Sequence, residues 1–416
     1  MTAAIWIFGL AWVLILYTYI GFPLVLATFA RLFGSANRTP SRSAGEADTG
    51  STCHDCTGDA RLPRVAMVVA AFNEEAVLAD KLSNSWEIDY PSERFQLWIG
   101  SDGSSDGTDR ILSACRDARL RYRGFGERRG KISVLNDLFA EIDADIVVMS
   151  DANTVYAPDA VRKLVAQFED TRVGCVSGEL GLLQEGGVSG EGLYWKYEGW
   201  IKRSESRLGF LIGCNGGIYA LRRECYEPLP PSTIVEDFVL TMRVLERGYR
   251  VVFAPEARAF EPPSATSRAE MIRKVRIGAG GFQALSLTGR LLLPGFGLTA
   301  FAFWGHKVLR WLVPFFYITA TAANIALWRL PAFSLFLVIQ AVGAILAVAA
   351  YHAPPGRKLP RWTQPVSYFF LMNYSLFCGF VRFVTRTQRV TWDRSTSAQA
   401  PAQLPAKTAA SATIAD

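Results

Sequence analysis

Four short polar clusters carry the side chains best suited to chemistry in this 416-residue chain: Phe72-Asn73-Glu74-Glu75, Ser101-Asp102-Gly103-Ser104-Ser105-Asp106-Gly107-Thr108, Ser150-Asp151-Ala152-Asn153 and Val235-Glu236-Asp237. The second joins backbone freedom at glycine to carboxylates that can accept hydrogen bonds from a ribose or a base. In the third, Asp151 and Asn153 place two oxygen-bearing side chains one residue apart. That donor set suits a hard divalent cation, Mg2+ or Mn2+, shared with a diphosphate. The fourth opens a helix, whose positive end helps to keep Asp237 ionised and able to accept a proton. Plainer readings stand beside these: Asn73 as a helix cap, the second cluster as a surface turn.

The elements around the clusters give them a common setting. Short apolar runs at 65 to 71, 95 to 100, 145 to 150, 173 to 178, 217 to 222 and 250 to 254 read as strands buried on both faces. Helical patterns fill 74 to 86, 107 to 117, 131 to 141, 158 to 168 and 237 to 247. This alternation predicts an α/β domain built on a mainly parallel sheet, in which ligands bind beyond the carboxyl ends of the strands. Three clusters directly follow such runs. A carboxylate for ribose, a carboxylate for metal and a base therefore occur in that order.

Half of the residues are hydrophobic and the formal net charge is +6, which leaves room for one sizeable soluble domain and several apolar segments outside its core. The basic residues are spread along the chain rather than gathered into an aromatic-interleaved stripe, so no nucleic-acid partner is expected. Seven cysteines scattered from Cys53 to Cys378 form no disulfide framework, which fits a reducing, cytosolic setting for the soluble domain. Residues 5 to 30 are apolar and long enough, at about 1.5 Å per residue, to cross a hydrocarbon core of about 30 Å. Arg31, Arg38 and Arg42 follow this stretch, whereas Met1 to Ala4 carry no side-chain charge. The positive-inside rule then anchors the chain in the inner (plasma) membrane with a cytoplasmic soluble domain. A cleaved signal peptide, the competing reading, lacks its basic leader.

Segments 309 to 328, 332 to 351 and 365 to 384 read as further spans, and 291 to 305 as an interfacial stretch. Simple alternation puts the tail outside, while Arg382, Arg386, Arg389 and Arg394 argue for inside. Residues 268 to 286 bring Met271, Val275, Phe282 and Leu285 to one helical face, fit to lie on a lipid bilayer or to pack on the domain. The division is thus an anchor at 1–33, a flexible linker at 34–62, an α/β domain at 63–267, an amphipathic segment at 268–305, spans at 306–386 and a largely disordered tail at 387–416. Cys53, His54 and Cys56 in the linker give only a weak zinc signal, a single CxxC without a second ligand pair.

As a set, AAFNEE at 70 to 75, SDGSSDGT at 101 to 108, GK at 130 to 131, SDAN at 150 to 153, ALRR at 220 to 223 and ED at 236 to 237 resemble family 2 glycosyltransferases of GT-A fold. That group includes cellulose, hyaluronan and poly-N-acetylglucosamine synthases, and the likeness runs from about Val65 to Gln283. It implies a GT-A (Rossmann-like) domain flanked by transmembrane helices, and inverting, metal-dependent transfer from a UDP sugar to a saccharide acceptor in exopolysaccharide or cell-envelope synthesis. By the same resemblance, Asn73, Glu74 and Asp102 line the nucleoside pocket and Lys131 lies near the diphosphate. Asp151 holds the metal, Asp237 with Glu236 beside it is the general base, and Cys214, Asn215 and Gly216 belong to an acceptor-facing loop.

Two departures qualify the likeness. Asn153 stands where the family's metal motif has a second acid, which should weaken cation binding without abolishing it. Polymerising members carry Gln-x-x-Arg-Trp, and here Arg273-Lys274-Val275-Arg276-Ile277 keeps only the arginine. Arg276 can still neutralise the departing diphosphate, but the tryptophan platform for an acceptor sugar is gone. Lipid acceptors, a polyprenyl phosphate or a glycolipid, are therefore an alternative, as is an idle nucleotide-binding subunit. A secretion partner or a homodimer would suit so few spans.

Overall fold

A computed structural model describes residues 1–34, 62–182, 190–262, 267–352, 360 and 363–390. Of the linker expected at 34–62, residues 35–61, with Cys53, His54 and Cys56, lie outside the described residues, as do residues 391–416 of the tail expected at 387–416. The chain begins with a long helix, α1 (Thr2–Phe33). The domain follows as β1 (Val65–Ala71), α2 (Glu75–Trp86), β2 (Phe95–Asp102), α3 (Thr108–Ala114), β3 (Leu120–Phe125), α4 (Lys131–Glu141), β4 (Ile146–Met149), β5 (Val155–Tyr156), α5 (Ala160–Ala166), β6 (Val173–Leu182), α6 (Gly190–Leu208), β7 (Tyr219–Arg222), α7 (Glu236–Glu246) and β8 (Arg250–Glu261). Helix α8 (Ser267–Thr288) leads to α9 (Leu298–Ala326), α10 (Pro331–Tyr351) and α11 (Thr363–Val384).

The eight strands form one sheet in the order β3-β2-β1-β4-β7-β6-β8-β5. It is mostly parallel, as expected, with β7 antiparallel to both neighbours and β5 antiparallel to β8. Strand β1 shows why it is central: Val65, Met67 and Val69 enter the core layer under α2 and α5, while Ala66, Val68 and Ala70 enter the layer under α4 and α7. Every residue of β1 is buried, so both faces are covered and the strand reads as one continuous apolar run. Because β2, β1 and β4 are parallel neighbours, their carboxyl ends, and the clusters that follow them, lie side by side.

The second core layer does not stop at the domain. Phe22 and Leu26 of α1, Ala279 and Phe282 of α8, and Phe303 and Trp311 of α9 belong to the same buried cluster as Val134 and Val239. A charged knot pins the junction. His306 of α9, fully buried, lies 2.6 Å from Glu205 through Nδ1 and 2.9 Å from Glu198 through Nε2, both glutamates being on α6. Arg310 donates to the other Glu198 oxygen at 2.8 Å. A buried ionic group of this kind is costly to desolvate and costly to break, so it fixes one arrangement of α6 against α9.

Among the described residues, four helices are long and apolar enough to cross a membrane: α1, α9, α10 and α11. Their packing differs. Helix α9 begins at Leu298 and runs on through a π-helical stretch, Phe303–Val308. The expected interfacial segment 291 to 305 is thus divided: two 3-10 turns at Gly289–Leu292 and Pro294–Phe296 precede the helix, and residues from 298 onward belong to α9 itself. Helix α11 lies along α8 in the same direction, with Lys274 beside Tyr368 and Phe282 beside Phe380 and Phe383. A side chain at Gly379 would come within 2.7 Å of the Ala279 backbone nitrogen, so only glycine permits this approach.

Across α9 the geometry of α11 is steep. Phe369 meets Tyr317 and Phe380 meets Phe315, so α11 advances about 16 Å while α9 runs back by two residues. After α11 the chain returns to the domain, where Thr387, Gln388, Arg389 and Val390 border the same cleft as Asp237.

Candidate functional site

The cleft has a volume of about 1390 Å³ and opens between the carboxyl ends of the strands, α7, α8 and α11. At its centre Lys131, the first residue of α4, binds two carboxylates: its Nζ lies 2.8 Å from Asp151 Oδ1, and it also contacts Glu236. Burial works against the charge on each partner. The two carboxylates nevertheless raise the Lys131 ammonium above its ordinary value, and Lys131, with Arg276 and Lys81 farther off, holds Asp151 below the usual carboxylate range.

Asp237 behaves differently from its neighbours. Burial, and then the adjacent Glu236 charge, push its carboxyl up to about 6. The Phe238 amide donates to its Oδ1 at 2.8 Å, and a side chain at Gly216 would sit 3.0 Å from its Oδ2. The second oxygen therefore faces the glycine loop at close range, and a carboxyl that titrates near neutrality is suited to take a proton.

The segment leading to Asp237 is clamped by α8. Gln283 accepts from the Ile234 amide at 2.9 Å and donates to the Ser232 carbonyl at 2.8 Å, while Arg276 donates to the Ile234 carbonyl at 3.1 Å. Arg276 lines the cleft as well, so one residue both positions the base segment and presents charge to a ligand.

The other expected site residues fall into two groups. Glu74, Asn153, Cys214 and Gly216 line the cleft together with Lys131, Asp151, Glu236, Asp237 and Arg276. Asn73, Asp102 and Asn215 are committed to backbone. Asn73 adopts a left-handed φ of 55°, and its Oδ1 accepts from the Ser105 amide at 2.8 Å; it does not cap α2. Asp102 is fully buried and accepts from the amides of Arg129 at 2.7 Å and Gly130 at 2.8 Å. Asn215 donates to the Gly178 carbonyl at 2.6 Å and receives the Ser177 hydroxyl as acceptor for its own amide at 3.0 Å. These three residues shape the loops that present Lys131 and Gly216.

Three further residues bear on the site and were not among the expected ones. Lys81, buried within α2, donates to Ser150 Oγ at 2.7 Å and to the Thr154 carbonyl at 2.8 Å. Burial lowers its ammonium to about 7 despite the opposing pull of Asp151 and Glu261. Glu261, at the end of β8, accepts from Thr154 Oγ1 at 2.8 Å and enters the cleft, its carboxyl raised by burial and by Asp151. Gln283 is the third. The signals were present: Lys81 interrupts the apolar stripe of Leu78 and Leu82, and Glu261 is a charge at the end of an apolar strand.

The metal question turns on the donor set. Among the described residues, no group of three or more His, Cys, Asp or Glu side chains could hold a metal ion. Asp151 and Asn153 nevertheless supply two cleft-facing oxygen ligands, which fits a cation completed by substrate phosphates and water.

Comparison with known proteins agrees with this architecture. Residues 63–280, just over half of the chain, match the sequence family described as glycosyltransferase like family 2. The chain belongs to that family. Among curated relatives it is 27% identical to beta-monoglucosyldiacylglycerol synthase of Synechocystis over 55% of this chain and 50% of that protein. It is 25% identical to poly-beta-1,6-N-acetyl-D-glucosamine synthase of Staphylococcus aureus over 54% of this chain and 56% of that protein. The chain thus spans about half the length of the curated relatives it matches. A mannosyltransferase from Pyrobaculum calidifontis, solved with GDP-Man and Mn2+, superposes with a TM-score of 0.68 at 21% identity, over 92% of this chain and all of that one. At that identity it bears on the fold alone, which is GT-A.

Proposed function

We propose that this protein is a membrane-bound glycosyltransferase that moves a sugar from a nucleotide donor, a UDP sugar, to an acceptor hydroxyl with inversion, in exopolysaccharide or cell-envelope glycan synthesis. The observation that carries this reading is Asp237, a carboxyl raised to about 6 in a cleft that also holds the Lys131–Asp151 pair and Arg276. Asp237 accepts the proton of the attacking hydroxyl as the anomeric carbon changes partners in a single displacement. Lys131 and Arg276 hold the diphosphate and balance the charge that develops on it. Asp151 and Asn153 would hold Mg2+ or Mn2+, which supplies further charge neutralisation to the diphosphate. The loop held by Asn73 and Asp102 borders the nucleoside.

The membrane arrangement follows from the return of the chain to the cleft. Helices α1, α9 and α10 cross, whereas α11 lies with α8 at the interface, so residues 387 to 390 share the side of the catalytic domain. The positive-inside rule makes that side cytoplasmic: Arg31, Arg382, Arg386 and Arg389 lie there, and the α9–α10 connection carries only Arg329.

The test is release of nucleoside diphosphate by the purified protein in lipid nanodiscs, screened over common sugar donors with Mg2+ or Mn2+. Asp237→Asn should lower turnover by about 10²–10⁴ while leaving nucleotide binding intact, the range expected for loss of a general base. Turnover unaffected by Asp237→Asn would remove the residue from this role. Nucleotide binding without any turnover would favour an idle binding subunit.

A further inference from the structure

The cleft is larger than the roughly 300–1,000 Å³ of an ordinary small-ligand pocket, and its lining joins charged groups to aliphatic ones. Beside Lys131, Asp151 and Asp237, the α8 and α11 side brings Ile272, Ile277, Leu371, Met372 and Leu376 to the lining, with Glu270, Arg273, Lys274 and Arg276 interspersed along α8. Ile272 is 51% and Ile277 43% exposed, so this apolar wall is open rather than sealed in the core. Exposed aliphatic surface that lines a cleft is suited to an apolar partner. Ile277 occupies the position where the family's polymerising members place tryptophan, and an aliphatic side chain offers no π face to a pyranose ring. Beyond the wall, Arg382 and Arg389 border the cleft at the return of the chain, and neither forms an ion pair among the described residues. An apolar wall, guanidinium groups and a proton acceptor therefore line one continuous space beside helices suited to a bilayer.

Resting on the transferase reading above, we propose that the acceptor is an anionic lipid whose head carries both a phosphate and a free hydroxyl. Its hydrocarbon lies along the α8–α11 wall, its phosphate faces Arg382 and Arg389, and its hydroxyl reaches Asp237. The hydroxyl oxygen forms the new bond to the anomeric carbon as the bond from that carbon to the diphosphate oxygen breaks. The electron pair leaves with the nucleoside diphosphate, and Asp237 takes the proton. Charge complementarity chooses this occupant over a neutral lipid, and the aliphatic wall chooses it over a soluble saccharide.

The experiment has two arms, both on the full chain in phosphatidylcholine nanodiscs. In the first, radiolabelled donor sugar is supplied with phosphatidylglycerol, with a polyprenyl-diphosphate saccharide, with diacylglycerol or with soluble oligosaccharides, and label is followed into the organic phase. Transfer to either phosphate-bearing lipid is expected, and which of the two works identifies the source of the phosphate. The double variant Arg382→Ala, Arg389→Ala should raise the lipid KM about tenfold, the size of one or two lost charge-assisted contacts, with donor KM unchanged. Transfer confined to oligosaccharides, or equally good with diacylglycerol, overturns the proposal. Donor hydrolysis that depends on Asp237 but never labels a lipid also overturns it.

In the second arm, a diazirine-bearing phosphatidylglycerol is photo-crosslinked without donor. Adducts should map to residues 268–286 and 368–390, and Met372→Trp, which fills the wall, should remove them while Met372→Leu keeps them. Adducts elsewhere overturn the lipid site whatever the catalytic result. Adducts on the wall, in a protein that turns over no donor, would sustain the lipid site while defeating the transferase reading on which it is built.

Discussion

The clearest consequence of the Asp237 environment is an acidic limb in the pH–rate profile. A base must be deprotonated to act, and the free-enzyme pKa governs kcat/KM. With its carboxyl pushed up to about 6, roughly nine-tenths of Asp237 is ionised at pH 7 and roughly one-tenth at pH 5. Donor kcat/KM should therefore fall about tenfold between those values, where an ordinary carboxylate near pH 4 would leave it almost flat. Burial is the larger cause of the shift and Glu236 the second. Glu236→Gln removes the like charge and keeps an oxygen for Lys131, so the limb should move to lower pH without reaching the ordinary carboxylate position. The assay is nucleoside diphosphate release at subsaturating donor from pH 4.5 to 8, with unfolding followed in parallel. A limb centred near 4, or one that Glu236→Gln leaves in place, would refute the assignment of Asp237 as the titrating base.

Other perturbations reach different parts of the structure. Asp151→Ala should weaken donor binding in Mn2+ far more than in its absence; titration calorimetry that shows equal loss in both would remove Asp151 from the metal. His306→Ala leaves the fully buried Glu205, and Glu198 with it, short of a partner, and should cost about 3–5 kcal/mol of stability in a detergent melt, as broken buried pairs do. Gly379→Leu drives a side chain toward backbone atoms of α8 at 2.7 to 2.9 Å, and should cost about 1–3 kcal/mol by overpacking. Gly126→Ala, with nothing within 4 Å of the added carbon, serves as its neutral comparison in the same melt.

How much could be read from the sequence depended on burial. Strands β1, β2 and β4 are nearly all buried and announced themselves as apolar runs. Strand β3 sits at the sheet edge with its residues half exposed and two arginines among its six, so it offers neither a run nor a clean alternation. Helix α6 was missed because charged and aromatic residues share its sequence without a clean stripe. Its Glu198 and Glu205 face a buried histidine more than a hundred positions away, and such a pairing has no local signature. The same limit applies at the site. Types and order pointed to Asp151 and Asp237, and the family resemblance to Lys131, all of which line the cleft, but neither pointed to the amides that occupy Asp102 or to the clamp from Gln283. Those are long-range contacts made by ordinary residues. The direction of the tail also needed three dimensions, because an apolar helix laid along α8 has the composition of one that crosses.

The Lys131 bridge makes one ammonium the shared counter-charge of two carboxylates from different elements. Asp151 follows β4 and Glu236 opens α7, so the ammonium ties two separate parts of the sheet's carboxyl edge together. On the proposed function, a diphosphate that drew this ammonium to itself would loosen that tie and free Asp151 for a new partner.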